Sequence, residues 1–381
     1  MWKYTLLFVL VLSSCVKQEF INPEQIVDQD LITFNHDQIP AELQDVIDTH
    51  RILILGETHY VQQHQEFVST ILNNIKEDSL IYVAELFNAF NWMVEDYISG
   101  KIDYVPDCVN YFENYTIEKI KDLNRNGKSA QMYLMDENHW TDNFIYSVSE
   151  IEKIIGEISD FQDIKHISID SKAYKEELVR LSNLFETNKS DLVEKYGSIW
   201  YERLDQLIKY EIKSSDYRST YSEELREHFM VDFLLKIIKQ NPNKKIIIDC
   251  GMTHAQRETL MGENIQRIGY YIDQEYSSDT YIISFVGLKG KIKFHFYDEN
   301  LISFNLLNET KGNDLINIIG NAANDNYSML ILDNDIFEKE MPVTYFTGNH
   351  TILSPANQFD AIITYPNISI LNSMNNFDYN K

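Results

Sequence analysis

A chain of 381 residues with 44% hydrophobic and 13% aromatic content has ample material for a packed core, in one large domain or two smaller ones. Its formal net charge of −26 argues against a nucleic-acid partner and against electrostatic attachment to an anionic membrane leaflet. Three cysteines are too few for a disulfide framework.

The chain opens with Lys3, an uninterrupted apolar run from Leu6 to Leu12, and then Ser13, Ser14 and Cys15. Such a run falls well short of the ~20 apolar residues needed to cross a bilayer, so it reads as the core of an export signal. Leu12-Ser13-Ser14-Cys15 resembles the lipobox of bacterial lipoproteins. That resemblance implies cleavage before Cys15, loss of residues 1–14, and lipid on the Cys15 thiol. Residues 15–30 are polar and acidic, as a tether would be. The expected location is therefore the bacterial cell envelope, lipid-anchored on the periplasmic face or the outer membrane. Cys108 and Cys250 remain, and are read as two free thiols.

From about residue 31 strands and helices alternate. Arg51–Leu55 (RILIL) is a buried-type strand, followed by Gly56-Glu57-Thr58-His59. Gln62–Ile75 has helical period, with Phe67, Ile71, Leu72 and Ile75 on one face. Leu80–Ala84 is the next strand and ends at Glu85. Helices over about Ala89–Ile98 and Ile117–Leu123 precede a strand at Gln131–Met135, which ends at Asp136. Residues 143–221 are helical and charged, an insertion or lid between site segments. A further helix over Ser222–Gln240 stops at Asn241-Pro242-Asn243. Lys245–Ile248 is a strand ending at Asp249-Cys250-Gly251, and weaker strands follow at Thr280–Val286, Met329–Leu332 and Asp360–Thr364. Residues 371–381 look like a frayed tail. Strands separated by helices need crossover connections, which predicts an α/β domain over 31–370, three-layered around a largely parallel sheet.

Ligands in such sheets bind outside the carboxyl ends of the strands. Here those ends carry Glu57 and His59, Glu85, Asp136, and Asp249 with His254. A carboxylate beside an imidazole fixes its tautomer and raises its basicity, as activation of water requires. Gly56 is read as the residue that lets the chain turn sharply off its strand. Glu85 directly follows an apolar strand, where a carboxylate is costly unless partnered. His254 follows Gly251-Met252-Thr253 at a strand-to-helix passage. His64 lies five residues beyond His59, about 140° away on a helix, so the two do not form a zinc-protease HExxH pair. Asp136-Glu137-Asn138-His139 has residue types that bind metal but also reads as a solvated loop.

Taken together, Ile54-Leu55-Gly56-Glu57-Thr58-His59 with His64, and Val83-Ala84-Glu85-Leu86-Phe87, resemble the first two motifs of the erythromycin-esterase and ChaN-like superfamily. Leu225-Arg226-Glu227-His228-Phe229-Met230 and the run from Lys244 to Ala255 resemble its later motif pair. The resemblance spans roughly residues 45–260. It implies a three-layer α/β fold with Glu57, His59, Glu85 and His254 as catalytic groups in one cleft. His64, Asp136, Arg226 and Asp249 would be ligand-binding groups. In the macrolide esterases the Glu/His set activates water against a lactone; their Glu and His stand three apart, whereas Glu57 and His59 stand two apart, as in the ChaN-like group.

The resulting expectation is a membrane-anchored hydrolase acting on an ester or amide of a small molecule. Two alternatives stay open. One is a non-catalytic lipoprotein binding haem or another small ligand, with His64 or His59 as ligand. The other is a metal-dependent peptidase holding a divalent ion on Glu57, His59 and His254.

Overall fold

In the strand Ile52–Glu57 the side chains alternate between two separate apolar cores. Leu53 and Leu55 enter one and Ile52 and Ile54 the other, which makes the sheet a middle layer buried on both faces. The computed structural model describes residues 30–138, 142–259, 264–293, 301–310, 314–344 and 350–372. Cys15, His139 and residues 373–381 lie outside them, so the lipid anchor, the tether and most of the expected tail do too.

In chain order the elements begin β1 Leu31–Phe34, α1 Ala41–Thr49, β2 Ile52–Glu57, α2 Gln62–Asn74, β3 Ser79–Phe87, α3 Asn91–Ile98, α4 Asp107–Arg125 and β4 Ser129–Asp136. Four helices follow, α5 Asn143–Ile155, α6 Lys172–Thr187, α7 Lys189–Tyr196 and α8 Ser198–Thr220, and then α9 Glu223–Gln240. The second half holds β5 Lys245–Gly251, α10 Met252–Ala255, α11 Ile268–Tyr276, β6 Thr280–Gly287, β7 Lys289–Ile292, β8 Ile302–Asn305 and α12 Leu306–Glu309. It closes with α13 Leu315–Ala323, β9 Tyr327–Ile331, β10 Met341–Thr344, β11 His350–Leu353, α14 Pro355–Gln358 and β12 Ala361–Tyr365.

Eight strands form the central sheet in the order β1-β9-β12-β6-β2-β5-β3-β4. From β12 to β4 all neighbours are parallel, while β9 and β1 close one edge antiparallel. The α/β expectation therefore holds, with an antiparallel edge that the weak apolar signal of β1 and β9 did not reveal. Two small hairpins, β7–β8 and β10–β11, lie outside the sheet. One core gathers side chains from α1 to α8, the other from α9 to α13, which gives the three layers. Among the described residues no helix is long and apolar enough to cross a membrane. Cys108 and Cys250 are free thiols.

Several strands run past their apolar stretches. β5 continues through Asp249, Cys250 and Gly251 because their backbones still pair with Leu55, Gly56 and Glu57 of β2. Gly56 accordingly sits inside a strand and makes no turn, contrary to the sequence reading. A Cβ there would lie 2.8 Å from Ala255 Cβ and 3.1 Å from Met252 Cα, so the glycine is required by the close approach of α10. The turn itself falls on Tyr60, a non-glycine residue at φ 67°. That left-handed conformation costs about 1–2 kcal/mol. It is held by the segment after β12: Leu371 N donates to Tyr60 O at 2.9 Å, and Gln62 N donates to Ser369 O at 2.9 Å.

Candidate functional site

The ends of β2, β3 and β4 and the turn α10 that follows β5 open onto one cavity of about 200 Å³, whose lining includes Glu57, His59, Glu85, Glu113, Asp136, Arg226 and His254. Apolar side chains complete its wall, among them Leu86, Phe87, Phe112 and Leu371. The four residues expected to be catalytic, together with Asp136 and Arg226, are thus brought together.

Each acid is aimed by local backbone structure. Between β3 and β4 the register moves from Ala84↔Leu134 to Phe87↔Asp136, so Glu85 and Leu86 together face Met135. This bulge re-aims Glu85 off the regular alternation of the strand. Its Oε2 accepts from Gly251 N at 2.6 Å and its Oε1 accepts from Arg226 Nη2 at 2.7 Å. Arg226, near the start of α9, also donates to both oxygens of Asp136 at 3.0 and 2.8 Å. One guanidinium therefore ties three strand-end and helix elements together through its planar fork. Burial disfavours the charge on Glu85, but His254, Arg226 and His59 outweigh it and hold its pKa well below the ordinary carboxylate value.

His254, on the single turn α10, is fixed from both sides. Its Nδ1 lies 2.6 Å from Glu227 Oε2 and its Nε2 lies 3.3 Å from Glu85 Oε1. Burial alone would lower its pKa, yet the charges of Glu85 and Glu227 and their hydrogen bonds raise it from 6.5 to about 10. Both ring nitrogens consequently donate, and the 3.4 Å approach of Arg226 Nη1 to Nε2 is a contact between donors that share Glu85 as acceptor. Glu227 itself is buried and also accepts from Ile268 N at 2.7 Å and Arg267 Nη1 at 3.2 Å.

His59 is the open member of the set. Its Nδ1 lies 2.8 Å from Glu57 Oε1, while its Nε2 has no hydrogen bond among the described residues. The walls around the ring favour its neutral form, but the Glu57 hydrogen bond and the charges of Glu57 and Glu85 raise the pKa from 6.5 to about 9. The side chain is still 45% exposed at the cavity mouth, where water screens both effects. The short bond to Glu57 keeps the direction upward.

Gly251 makes room for this ring, because a Cβ there would lie 2.8 Å from His59 Nε2 and 3.0 Å from Cε1. Gly251→Ala should push the imidazole outward and weaken its bond to Glu57. The expected readout is a downward move of the His59 titration by NMR, from about 9 toward 6.5, with the unfolding midpoint little changed. An unaltered titration would show that the glycine has no such part.

Two expected ligand-binding residues lie elsewhere. His64 is fully buried behind the cavity, with Nε2 2.8 Å from Asp249 Oδ1 and Nδ1 3.3 Å from Tyr365 OH. Asp249 is buried as well and accepts a short hydrogen bond from Tyr82 OH. With both nitrogens engaged, His64 cannot serve as a haem ligand without breaking this network, and that expectation is corrected. The metal set is corrected too: His254 spends its nitrogens on Glu227 and Glu85, and does not converge with Glu57 and His59. Among the described residues the converging acid–imidazole group is Glu57, His64 and Asp249, with candidate atoms within 4.8 Å of one another. The same His64 Nε2 already bonds Asp249 and lies 3.7 Å from Glu57 Oε2. We read Tyr82, Asp249 and His64 as a hydrogen-bonded core network that touches Glu57 through charge only, at the 3.7 Å separation of His64 from its carboxylate. Asp136, Glu137 and Asn138 are buried, so that segment is not a solvated loop.

The helical stretch 143–221 supplies no residue to the cavity lining; its Lys213, Asp216 and Tyr217 line a neighbouring cavity of about 190 Å³ that shares Arg226. Glu113, Glu227, Gly251 and Tyr60 were missed from the sequence. Glu227 stands beside Arg226 in a motif already singled out, a signal that was available. Glu113 lies in a charged amphipathic helix, where it looks like any solvated acid.

No family model and no curated protein sequence matches this chain. Among solved structures it is similar to a mutant of erythromycin esterase EreC in its open conformation, at 14% identity and a TM-score of 0.67, over 89% of this chain and 98% of that one. A succinoglycan biosynthesis protein is similar at 13% identity and a TM-score of 0.66, over 90% and 95% of the two chains. A Bacillus cereus protein is similar at 14% identity and a TM-score of 0.69, over 93% and 99%. The chain is an α/β protein with the fold of erythromycin esterase.

Proposed function

We propose that this protein is a hydrolase of carboxylic esters, in which Glu57 and His59 activate a water molecule against the carbonyl carbon. The observation that carries the reading is the orientation of His59. Glu57 holds Nδ1, so Nε2 is the nitrogen left to face the cavity. Neutral imidazole takes the proton of water there, and the developing imidazolium is stabilised by Glu57. Arg226, fixed by Glu85 and Asp136, stands ready for the negative charge that grows on the carbonyl oxygen, and His254 beside it adds positive charge while its two nitrogens stay on Glu227 and Glu85. Donors held in place before reaction contribute most to such chemistry.

The substrate class follows from the wall. Each basic group of the lining already faces a carboxylate, His59 on Glu57, Arg226 on Glu85 and Asp136, and His254 on Glu85, so the cavity offers no unpaired cation to select an anionic substrate. Leu86, Phe87, Phe112 and Leu371 favour an uncharged, partly apolar ester or lactone. Lipid on Cys15 would hold this activity at the bacterial envelope. The test is a panel of alkyl esters, aryl esters, lactones and peptides offered to the purified protein, with and without chelator. Hydrolysis of esters or lactones that survives chelator is expected; cleavage of peptides alone, lost with chelator, would reverse the assignment.

A further inference from the structure

Helix α4 is regular except at Glu113, where φ is −122° and ψ is 17°. The residue at this break puts its side chain into the wall of the same cavity as His59, although it is 6% exposed. A carboxyl group so placed has few ways to be satisfied. From β3, Tyr82 OH reaches Oε2 at 3.4 Å, and from α2, Gln65 Nε2 reaches it at 3.5 Å. Both contacts are long for hydrogen bonds. Tyr82 gives its short bond to Asp249, and Gln65 Oε1 accepts from Thr116 at 2.8 Å. Among the described residues no lysine, arginine or histidine pairs with Glu113. The charges that do face it are Asp249 from β5 and Glu57 from β2, both acidic.

We propose that Glu113 is the proton donor of the site, protonating the leaving oxygen as the ester bond breaks. This deepens the hydrolase reading and rests on it. Burial first, then Asp249 and Glu57, outweighs the opposing hydrogen bonds of Gln65 and Thr116 and pushes its pKa well above the carboxylate range, whereas Glu85 in the same cavity is driven the other way. A carboxyl kept protonated in this way can give its proton up, while His59 does the base work. The steps balance. Water adds to the carbonyl carbon while its proton passes to His59 Nε2. The tetrahedral intermediate then collapses, the carbon–oxygen bond breaks, and the leaving oxygen takes the Glu113 proton. His59 afterwards returns its proton through solvent to the Glu113 carboxylate, leaving one acid and one alcohol from ester and water.

The experiment compares two esters of one acyl group, ethyl butyrate and 4-nitrophenyl butyrate, with the unaltered protein and Glu113→Gln. An ethoxide must be protonated as it leaves, and a nitrophenoxide need not be. Glu113→Gln should lower kcat on the ethyl ester roughly 10²–10⁴-fold, the range for a positioned acid, and lower it at least about tenfold less on the nitrophenyl ester. Glu113→Asp, which keeps an acid at shorter reach, should fall between the two proteins on the ethyl ester; it carries the test if the glutamine variant does not fold. Equal losses on both esters, or no loss on either, would overturn the proposal while leaving the hydrolase reading in place. Failure of the unaltered protein to cleave either ester would overturn both.

Discussion

Arg226→Ala should lower the stability of the protein by about 3–5 kcal/mol, the penalty for removing one partner of a buried ion pair. The guanidinium is 14% exposed and its partners Glu85 and Asp136 are 7% and 3% exposed, so solvent cannot replace what is lost. Two buried carboxylates would then lie close together without the cation that one guanidinium nitrogen now places between them. The loss should appear as a lower midpoint in urea unfolding with an unchanged slope. Arg226→Lys keeps the charge but not the fork that reaches Asp136 twice and Glu85 once, and should recover part of the stability. Because Arg226 also faces the carbonyl oxygen in the proposed reaction, neither variant should hydrolyse esters at the native rate. An alanine variant as stable as the native protein would show that the Glu85–Arg226–Asp136 array is not a structural keystone.

The layered sheet was legible because its central strands are continuous apolar runs between helices of clear period. RILIL, LIYVA and KIII could hardly be anything but buried parallel strands. What the pattern could not show was where each strand ends, because backbone pairing continues through Glu57, Glu85–Phe87 and Asp249–Gly251 regardless of side-chain polarity. Of the site, strand-end placement brought out Glu57, His59, Glu85, Asp136 and His254 together. It also drew in His64 and Asp249, which point into the core; which way a side chain faces at a strand end depends on bulges and on α2 packing, and neither is written in local spacing. Glu113 was invisible for a related reason. Its environment is made by Tyr82, Gln65 and Asp249, residues 31, 48 and 136 positions away in the chain.

The central claim is that neutral His59, oriented by Glu57, takes a proton from water. Its most direct test is the rate of ester hydrolysis against pH for the native protein and for His59→Ala. Glu57 and Glu85 keep the ring protonated at neutral pH, so the native rate should rise with pH and level off only as the imidazole loses its proton. The midpoint should lie well above the ordinary 6.5 and toward 9. His59→Ala should fold normally, since the ring is half exposed and bonds only Glu57, and should lose roughly 10²–10⁴-fold in kcat across that range. The rise itself should vanish from what activity remains. A native profile that is flat or centred at or below 6.5, or an alanine variant that keeps both rate and rise, would contradict the account.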